Sequence, residues 1–276
     1  MTTTSQLLTA LQLARDRERY NLDAKPDRWT PGPPFESIDV RPGRVILIGA
    51  PPGAGKTALS LQLMTDLIAR HSLRAVVANV ETAPPVLVDK LLARFARVDL
   101  SALMNRALTD DERRRVEAAL DEHADTLGRL AFHENRYSVP ALFDTMQRFG
   151  APLVVVDYVQ RFTADGKDDR AKLDKIMNEL RLLAGAGAAV LVISSVARQK
   201  DKRGSSTYTG LSMTSFRGSA ELEFGADCAY LLHSDSRSGT ATLECVKDRF
   251  NSPKNIYLRF TGQLQRFDAG DELDGF

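Results

Sequence analysis

Residues 46–59 read ILIGAPPGAGKTAL. An apolar run meets two prolines and two glycines, then a lysine and a threonine, and then turns apolar again. Residues 44–49 have the continuous apolar character of a buried strand, and residues 56–70 carry Leu59, Leu63 and Leu67 at helical spacing. Between them, Gly53 and Gly55 allow backbone angles closed to other residues and a close approach of a ligand to the chain. Successive N–H groups at the start of a helix then point into one concavity, where the helix dipole favours an anion. The chemistry that this stretch suits is phosphate binding.

The pattern is that of a P-loop, G-x-x-x-x-G-K-[ST], with Ala50 in the place of the first glycine. The phosphate cradle then comprises Ala50, Pro51, Pro52, Gly53, Ala54, Gly55, Lys56, Thr57 and Ala58. Lys56 is expected to reach the β- and γ-phosphates, and the Thr57 hydroxyl to ligate Mg²⁺. A glycine-rich turn that only joins strand to helix is the competing reading.

The chain has 276 residues, of which 43% are hydrophobic, enough for a sizeable core, and its formal net charge is +1. Any nucleic-acid contact must therefore come from local patches and not from a global field. Cys228 and Cys245 match neither a metal-ligand spacing nor a disulfide framework and read as core residues. No apolar run approaches membrane-spanning length and no signal-peptide pattern opens the chain, so the expectation is a soluble, cytoplasmic protein without a membrane partner.

Residues 3–20 read as a short amphipathic helix and residues 21–42, rich in proline, as a linker. Strands are then expected at 44–49, 74–80, 129–134, 152–157 and 189–194. Helices are expected at 56–70, 84–97, 109–127, 138–149 and 168–184. This alternation predicts an α/β fold with a mostly parallel central sheet flanked by helices. A polar loop at 197–214 and a short helix near 216–223 follow. Three further strands, in ADCAYLLH, TATLECVK and NIYLRF, read as an antiparallel C-terminal extension. The domain division is 1–42 for the helix and linker, 43–267 for the main domain and 268–276 for an acidic tail.

Several other positions carry chemistry. The run LVVVD ends in Asp157, which a central parallel strand would deliver to the ligand edge of the sheet. Beside a P-loop, this acid fits a Walker B aspartate that helps to hold Mg²⁺; the alternative is a cap for the next element. AVVANVE is a strand ending in Glu81, placed either to polarise a water that attacks the γ-phosphate or to favour a helix dipole. Ser195 closes a third strand at the same edge, where it would sense the γ-phosphate or cap a turn. Arg198, Lys200, Lys202 and Arg203 surround Asp201, with Phe216 and Arg217 beyond; the loop suits a phosphate backbone or plain solvent. Lys247 and Arg249 share a strand face and suit an arginine finger, in cis or from a neighbouring subunit, or else a surface pair.

Taken in order, these motifs resemble the C-terminal ATPase domain of DnaB-type hexameric replicative helicases. The resemblance runs from about residue 41 to residue 267. The family's P-loop often reads A-x-P-x-x-G-K-[ST], which makes Ala50 a family trait. Its SLEM is matched by NVET, which carries the catalytic-base role onto Glu81. Its hhhhDYLQ appears as VVVDYVQ, with Asp157 and Gln160 in the matching places. Its LSQLNR appears as ISSVAR, so Ser195 stands where the family has a sensor glutamine. Its K-x-R-N-G becomes KDRFN, which carries the trans-acting lysine and arginine finger onto Lys247 and Arg249.

The resemblance implies a RecA-like P-loop NTPase that uses ATP and Mg²⁺, with ATP sites between the subunits of a homo-oligomer, a hexamer in the family. It implies a helicase or translocase on single-stranded DNA. The chain leaves no room for the family's N-terminal helical domain, which contacts primase, so a phage, plasmid or mobile-element role is expected. Two other readings are a RecA-like ATPase that loads, remodels or coats DNA, and a KaiC-like regulatory ATPase. The tail, with Asp268, Asp271, Glu272, Asp274 and terminal Phe276, suits a hook for a replisome partner or a solvated terminus.

Overall fold

The structure, a computed structural model, describes residues 9–16, 27–196, 199–200, 206–207, 211–216, 220–235 and 237–271. In chain order the elements are α1 (Ala10–Arg15), β1 (Val45–Ala50), α2 (Lys56–His71), β2 (Ala75–Asn79), α3 (Pro84–Ala96), α4 (Leu100–Met104), α5 (Asp110–Glu122) and α6 (Ala124–Gly128). There follow β3 (Leu130–Phe132), α7 (Val139–Phe149), β4 (Leu153–Asp157), α8 (Asp169–Gly185), β5 (Ala189–Ser195), β6 (Gln199–Lys200) and β7 (Ser206–Thr207). The chain closes with α9 (Ala220–Gly225), β8 (Cys228–Ser234), β9 (Thr240–Asp248), β10 (Ile256–Thr261) and β11 (Arg266–Ala269).

Nine strands form one sheet in the order β11-β10-β9-β8-β1-β5-β4-β2-β3. Alternation along the strands divides its two faces. Ile46, Ile48, Leu153, Val155, Leu191 and Ile193 join the layer containing α2, while Val45, Leu47, Val154, Val156, Val190 and Val192 join the layer of α7 and α8. With both faces covered, β1, β4 and β5 are apolar throughout, apart from Gly49, the terminal Asp157 and the last serines. A satellite cluster of Leu92, Ala96, Leu103 and Val116 joins α3, α4 and α5.

Four expectations need correction. The antiparallel extension begins one strand later than the sequence reading has it: β8 pairs parallel with β1, Ile46 opposite Cys228, and only β9, β10 and β11 run antiparallel. The proline-rich linker is packed from residue 27 onward. Trp29 and Val40 exchange two backbone hydrogen bonds, at 2.7 and 3.0 Å, and Phe35, Ile38 and Val40 lie buried in the α2 layer. Burial of those three side chains outweighs the freedom that a proline-rich segment would otherwise keep. The helix expected at 109–127 breaks at His123, which ends α5 and begins α6 and stacks on Phe95 at 3.9 Å. Finally, β11 takes Asp268 and Ala269 into the sheet; Arg259 pairs with Asp268, and Leu258 with Ala269. Glu272, Asp274 and Phe276 of the tail lie outside the described residues, as do parts of the expected N-terminal helix.

Candidate nucleotide site

The P-loop stands at the C-terminal edge of the sheet. β1 is buried along its whole length and delivers Ala50, itself fully buried, to the start of the turn. Pro52 and Gly53 are exposed, Pro51 is half-buried, and Ala54 and Ala58 turn inward. Gly53 and Gly55 adopt φ of +80° and +88°, the left-handed region, and Gly55 is the residue at which α2 begins. The two glycines do different work. A Cβ on Gly53 would meet nothing within 4 Å, whereas one on Gly55 would sit 2.9 Å from the Phe260 ring and 3.0 Å from that of Phe267. These rings stack with centroids 4.3 Å apart and form a shelf beneath the loop. Lys56 places its Nζ 5.7 Å from the centre of the Tyr158 ring.

Thr57, at the head of α2, donates its hydroxyl to Asp157 Oδ2 at 2.8 Å. The same oxygen accepts from the Asn79 amide at 2.6 Å. Asp157 is 2% exposed, and its pKa is pushed up to about 6, first by burial, against the opposing pull of the Thr57 bond, of Lys56 and of Asn79. A carboxylate so poorly solvated, bonded to a hydroxyl at the mouth of a phosphate cradle, suits a hard cation. No group of three or more His, Cys, Asp or Glu side chains is placed to hold a metal among the described residues. A Mg²⁺ shared with nucleotide phosphates needs no such cage, because one or two protein oxygens suffice. The donor set fits.

Glu81 is not the last residue of its strand, as expected from sequence. β2 stops at Asn79, and Glu81 lies exposed in the bend that follows. The Asn79 side chain fixes this bend, its Oδ1 accepting the N–H groups of Glu81 at 3.0 Å and Thr82 at 2.7 Å. At the neighbouring strand end, Gln160 donates to Ser194 Oγ at 2.7 Å and accepts the Ser195 N–H at 3.2 Å. A carboxamide from the turn after β4 thus sits against the end of β5, where Ser195 itself carries only a hydroxyl.

Lys247 and Arg249 are at the opposite edge. Gly49 pairs with Leu231, and Cys228, three residues earlier on β8, pairs with Asp248. The finger pair therefore lies about 10 Å of strand rise below Gly49, away from the loop that follows Ala50. Lys247 donates to the carbonyls of Glu223 (2.5 Å) and Ala226 (2.8 Å), and its pKa is lowered, chiefly by burial. Arg249, just past the end of β9, donates to the Phe224 carbonyl at 2.6 Å and lies 3.4 Å from Asp227. The cis alternative is thereby removed: the topology keeps Arg249 from its own P-loop.

The sequence profile of the DnaB-like helicase C-terminal domain matches residues 38–269. The chain belongs to this family. Among curated proteins it is similar to the replicative DNA helicase DnaB of Leifsonia xyli subsp. xyli, 24% identical over 83% of this chain and 52% of the relative. It also resembles that of Mycobacterium leprae, 27% identical over 76% and 37%, and a probable plasmid replicative DNA helicase of Chlamydia trachomatis, 21% identical over 82% and 51%. The chain thus spans about half or less of these relatives. Two solved structures share the fold. One, an isolated ATPase domain, aligns with a TM-score of 0.73 at 17% identity, over 83% of this chain and 85% of that one. The other, a DnaB-like replicative helicase studied with its interactions with primase, aligns at 0.75 and 18% identity, over 84% and 58%. The architecture is RecA-like, as expected.

Within this DnaB-like framework, the basic loop is described only in part. Lys200 lies in β6, which pairs with β7; Arg198, Lys202, Arg203 and Arg217 lie outside the described residues. Phe216 is buried, and a Cβ on Gly49 would come within 2.5 Å of its ring, so the segment after the loop packs beneath β1. Sequence reasoning passed over three residues. Asn79 was only the letter before an expected acid. Lys90 of α3 donates to Gln265 at 2.7 Å, with a pKa lowered by burial and raised by the field of Asp157. Asp227, 3% exposed, accepts the Val45 N–H at 2.9 Å and pairs with Arg181 as well as Arg249. Only the first had a signal, a polar residue closing an apolar strand. Among the described residues no helix is long and apolar enough to cross a membrane.

Proposed function

We propose that this chain is the ATP-driven motor of a ring-forming DNA helicase or translocase that moves on single-stranded DNA, with each ATP held between two copies. The observation that carries the reading is the separation of the two halves of the site. The P-loop, Asp157 and the Glu81 bend stand at one edge of the sheet, and Lys247 and Arg249 at the other. A complete site then takes its loop from one copy and its finger from the next. Family membership and the names of the relatives support the DNA-helicase reading.

In this reading Lys56 and the amides of the cradle from Ala50 to Ala58 bind the phosphates. Thr57 and Asp157 would hold Mg²⁺, which when bound supplies charge neutralisation across the β- and γ-phosphates. Glu81 polarises the attacking water and takes its proton. Gln160, set against Ser194 and Ser195, reports on the γ-phosphate. Arg249 and Lys247 of the neighbour stabilise the charge of the transition state. The basic loop from Arg198 to Arg203, with Arg217, contacts the DNA backbone, and the acidic tail offers a hook to a replisome partner.

The test is a mixing experiment. Lys56→Ala and Arg249→Ala should each lose ATP turnover, the latter by about 10³–10⁵-fold while still binding nucleotide. Co-assembled, they create interfaces in which an intact P-loop meets an intact finger, and partial turnover returns. Near-normal turnover of Arg249→Ala alone would refute the shared site. Turnover that single-stranded DNA does not stimulate would favour a regulatory ATPase. Stimulated turnover without strand displacement on a forked duplex would favour a loader or coating protein.

A further inference from the structure

Asn79 makes more bonds to the candidate site than any role given to it so far requires. It closes β2 and is 5% exposed. Its Nδ2 donates to Asp157 Oδ2 at 2.6 Å, and its Oδ1 accepts from the N–H groups of both Glu81 and Thr82. Below it, β2 and β4 are paired in register, with Asn79 opposite Asp157, and the Val80 N–H donates to the Asp157 carbonyl at 2.9 Å. One carboxamide therefore spans the two strand ends that carry the proposed metal-facing acid and the proposed base.

We propose that Asn79 is the positioning residue of this site: a single side chain that sets the Asp157 carboxylate for the cation and, through the bend, the Glu81 backbone for the attacking water. The chemistry demands a carboxamide. An aspartate would bring a second carboxylate against Asp157 and has no proton to donate when ionised. A leucine of the same shape makes none of the three bonds. A serine offers one oxygen on a shorter stem to serve three partners. A side chain that is buried, fully bonded and shared between two reacting groups holds both to one geometry, and partners of this kind, beyond the direct ligands, typically cost 10–100-fold in metal affinity or activity when removed.

The inference rests on the reading of Asp157 and Glu81 above, and its test separates the two. Fluorescent mant-ADP is titrated onto the full chain and its Asn79→Leu, Asn79→Ala and Asn79→Ser variants, once in EDTA and once in MgCl₂, with thermal melting and ATP turnover in parallel. Affinity in EDTA should stay within about twofold of wild type, because the cradle is untouched. The gain in affinity on adding Mg²⁺ should shrink by about 10–100-fold in the Leu and Ala variants. Serine, whose hydroxyl can donate to Asp157, should recover part of it. If Asn79→Leu does not fold, the Ala and Ser variants decide. A Mg²⁺-linked gain within threefold of wild type in folded Ala and Ser variants would overturn the proposal and leave Asn79 a structural residue, whatever the melting temperature does. Normal turnover of Glu81→Gln would instead overturn the assignment of the base, while the Mg²⁺-linked gain would still judge the bond to Asp157.

Discussion

Replacing Gly55 by alanine should destabilise the protein more than the same change at Gly53, although both glycines share a motif and a left-handed backbone. With φ of +80° and +88°, each substitution forces a Cβ into that region, at a cost of roughly 1–2 kcal/mol. At Gly53 nothing lies within 4 Å, so the cost ends there. At Gly55 the new methyl meets Phe260 at 2.9 Å and Phe267 at 3.0 Å. Both rings are held by their mutual stacking, and Phe267 is buried to 1% exposure with its N–H and C=O bonded to Gln62. Overpacking of that kind adds roughly 1–3 kcal/mol. Urea unfolding without nucleotide should therefore give a Gly55→Ala variant about 1–3 kcal/mol less stable than Gly53→Ala, with an unchanged m-value. A double-mutant cycle with Phe260→Ala isolates the clash. Removing the ring makes room, so the double variant should be more stable than the sum of the single losses by about the same amount. Additivity within about 0.5 kcal/mol would refute the aromatic shelf as the constraint on this glycine.

Asp227→Ala should cost about 3–5 kcal/mol in urea unfolding, toward the low end because Arg181 and Arg249 keep partial access to water; a loss under 1 kcal/mol would contradict the network drawn around this carboxylate. Neutralising Arg198, Lys200, Lys202 and Arg203 together should weaken binding to an oligothymidine and flatten its log–log salt dependence by up to about 0.7 for each phosphate that the loop no longer neutralises. Fluorescence anisotropy over a range of NaCl concentrations reads the slope, and an unchanged slope would assign the loop to solvent.

Much of the site was legible in the sequence because its parts are local. The P-loop is a strand, a turn and a helix start within residues 45–57, and each needs a residue type that short-range physics dictates: apolar for a strand covered on both faces, glycine for positive φ, and lysine and threonine for phosphate and metal. Asp157 was legible for the same reason, since four apolar residues before an acid describe a central strand reaching the ligand edge. The strand–helix alternation likewise set the parallel sheet.

Tertiary structure decided what depends on residues distant in sequence. No local pattern says that β8 runs parallel to β1, because ADCAYLLH is apolar enough for either partner direction; its direction follows from the chain crossing beneath β1 through Phe216 and α9. Nothing near Gly55 announces Phe260 and Phe267, which arrive some two hundred residues later to occupy the space a side chain would need. Asn79 gains its meaning only because β2 and β4 lie side by side and bring its amide to Asp157. Arg249 is an ordinary cation in the sequence; the register of β8 and β9 sets it at the edge opposite its own P-loop. Sequence determined which chemistry each segment can perform, since that rests on residue type and short-range geometry. Only the folded sheet decided which segments face one site and which face away, since strand order and register are set by long-range burial and pairing.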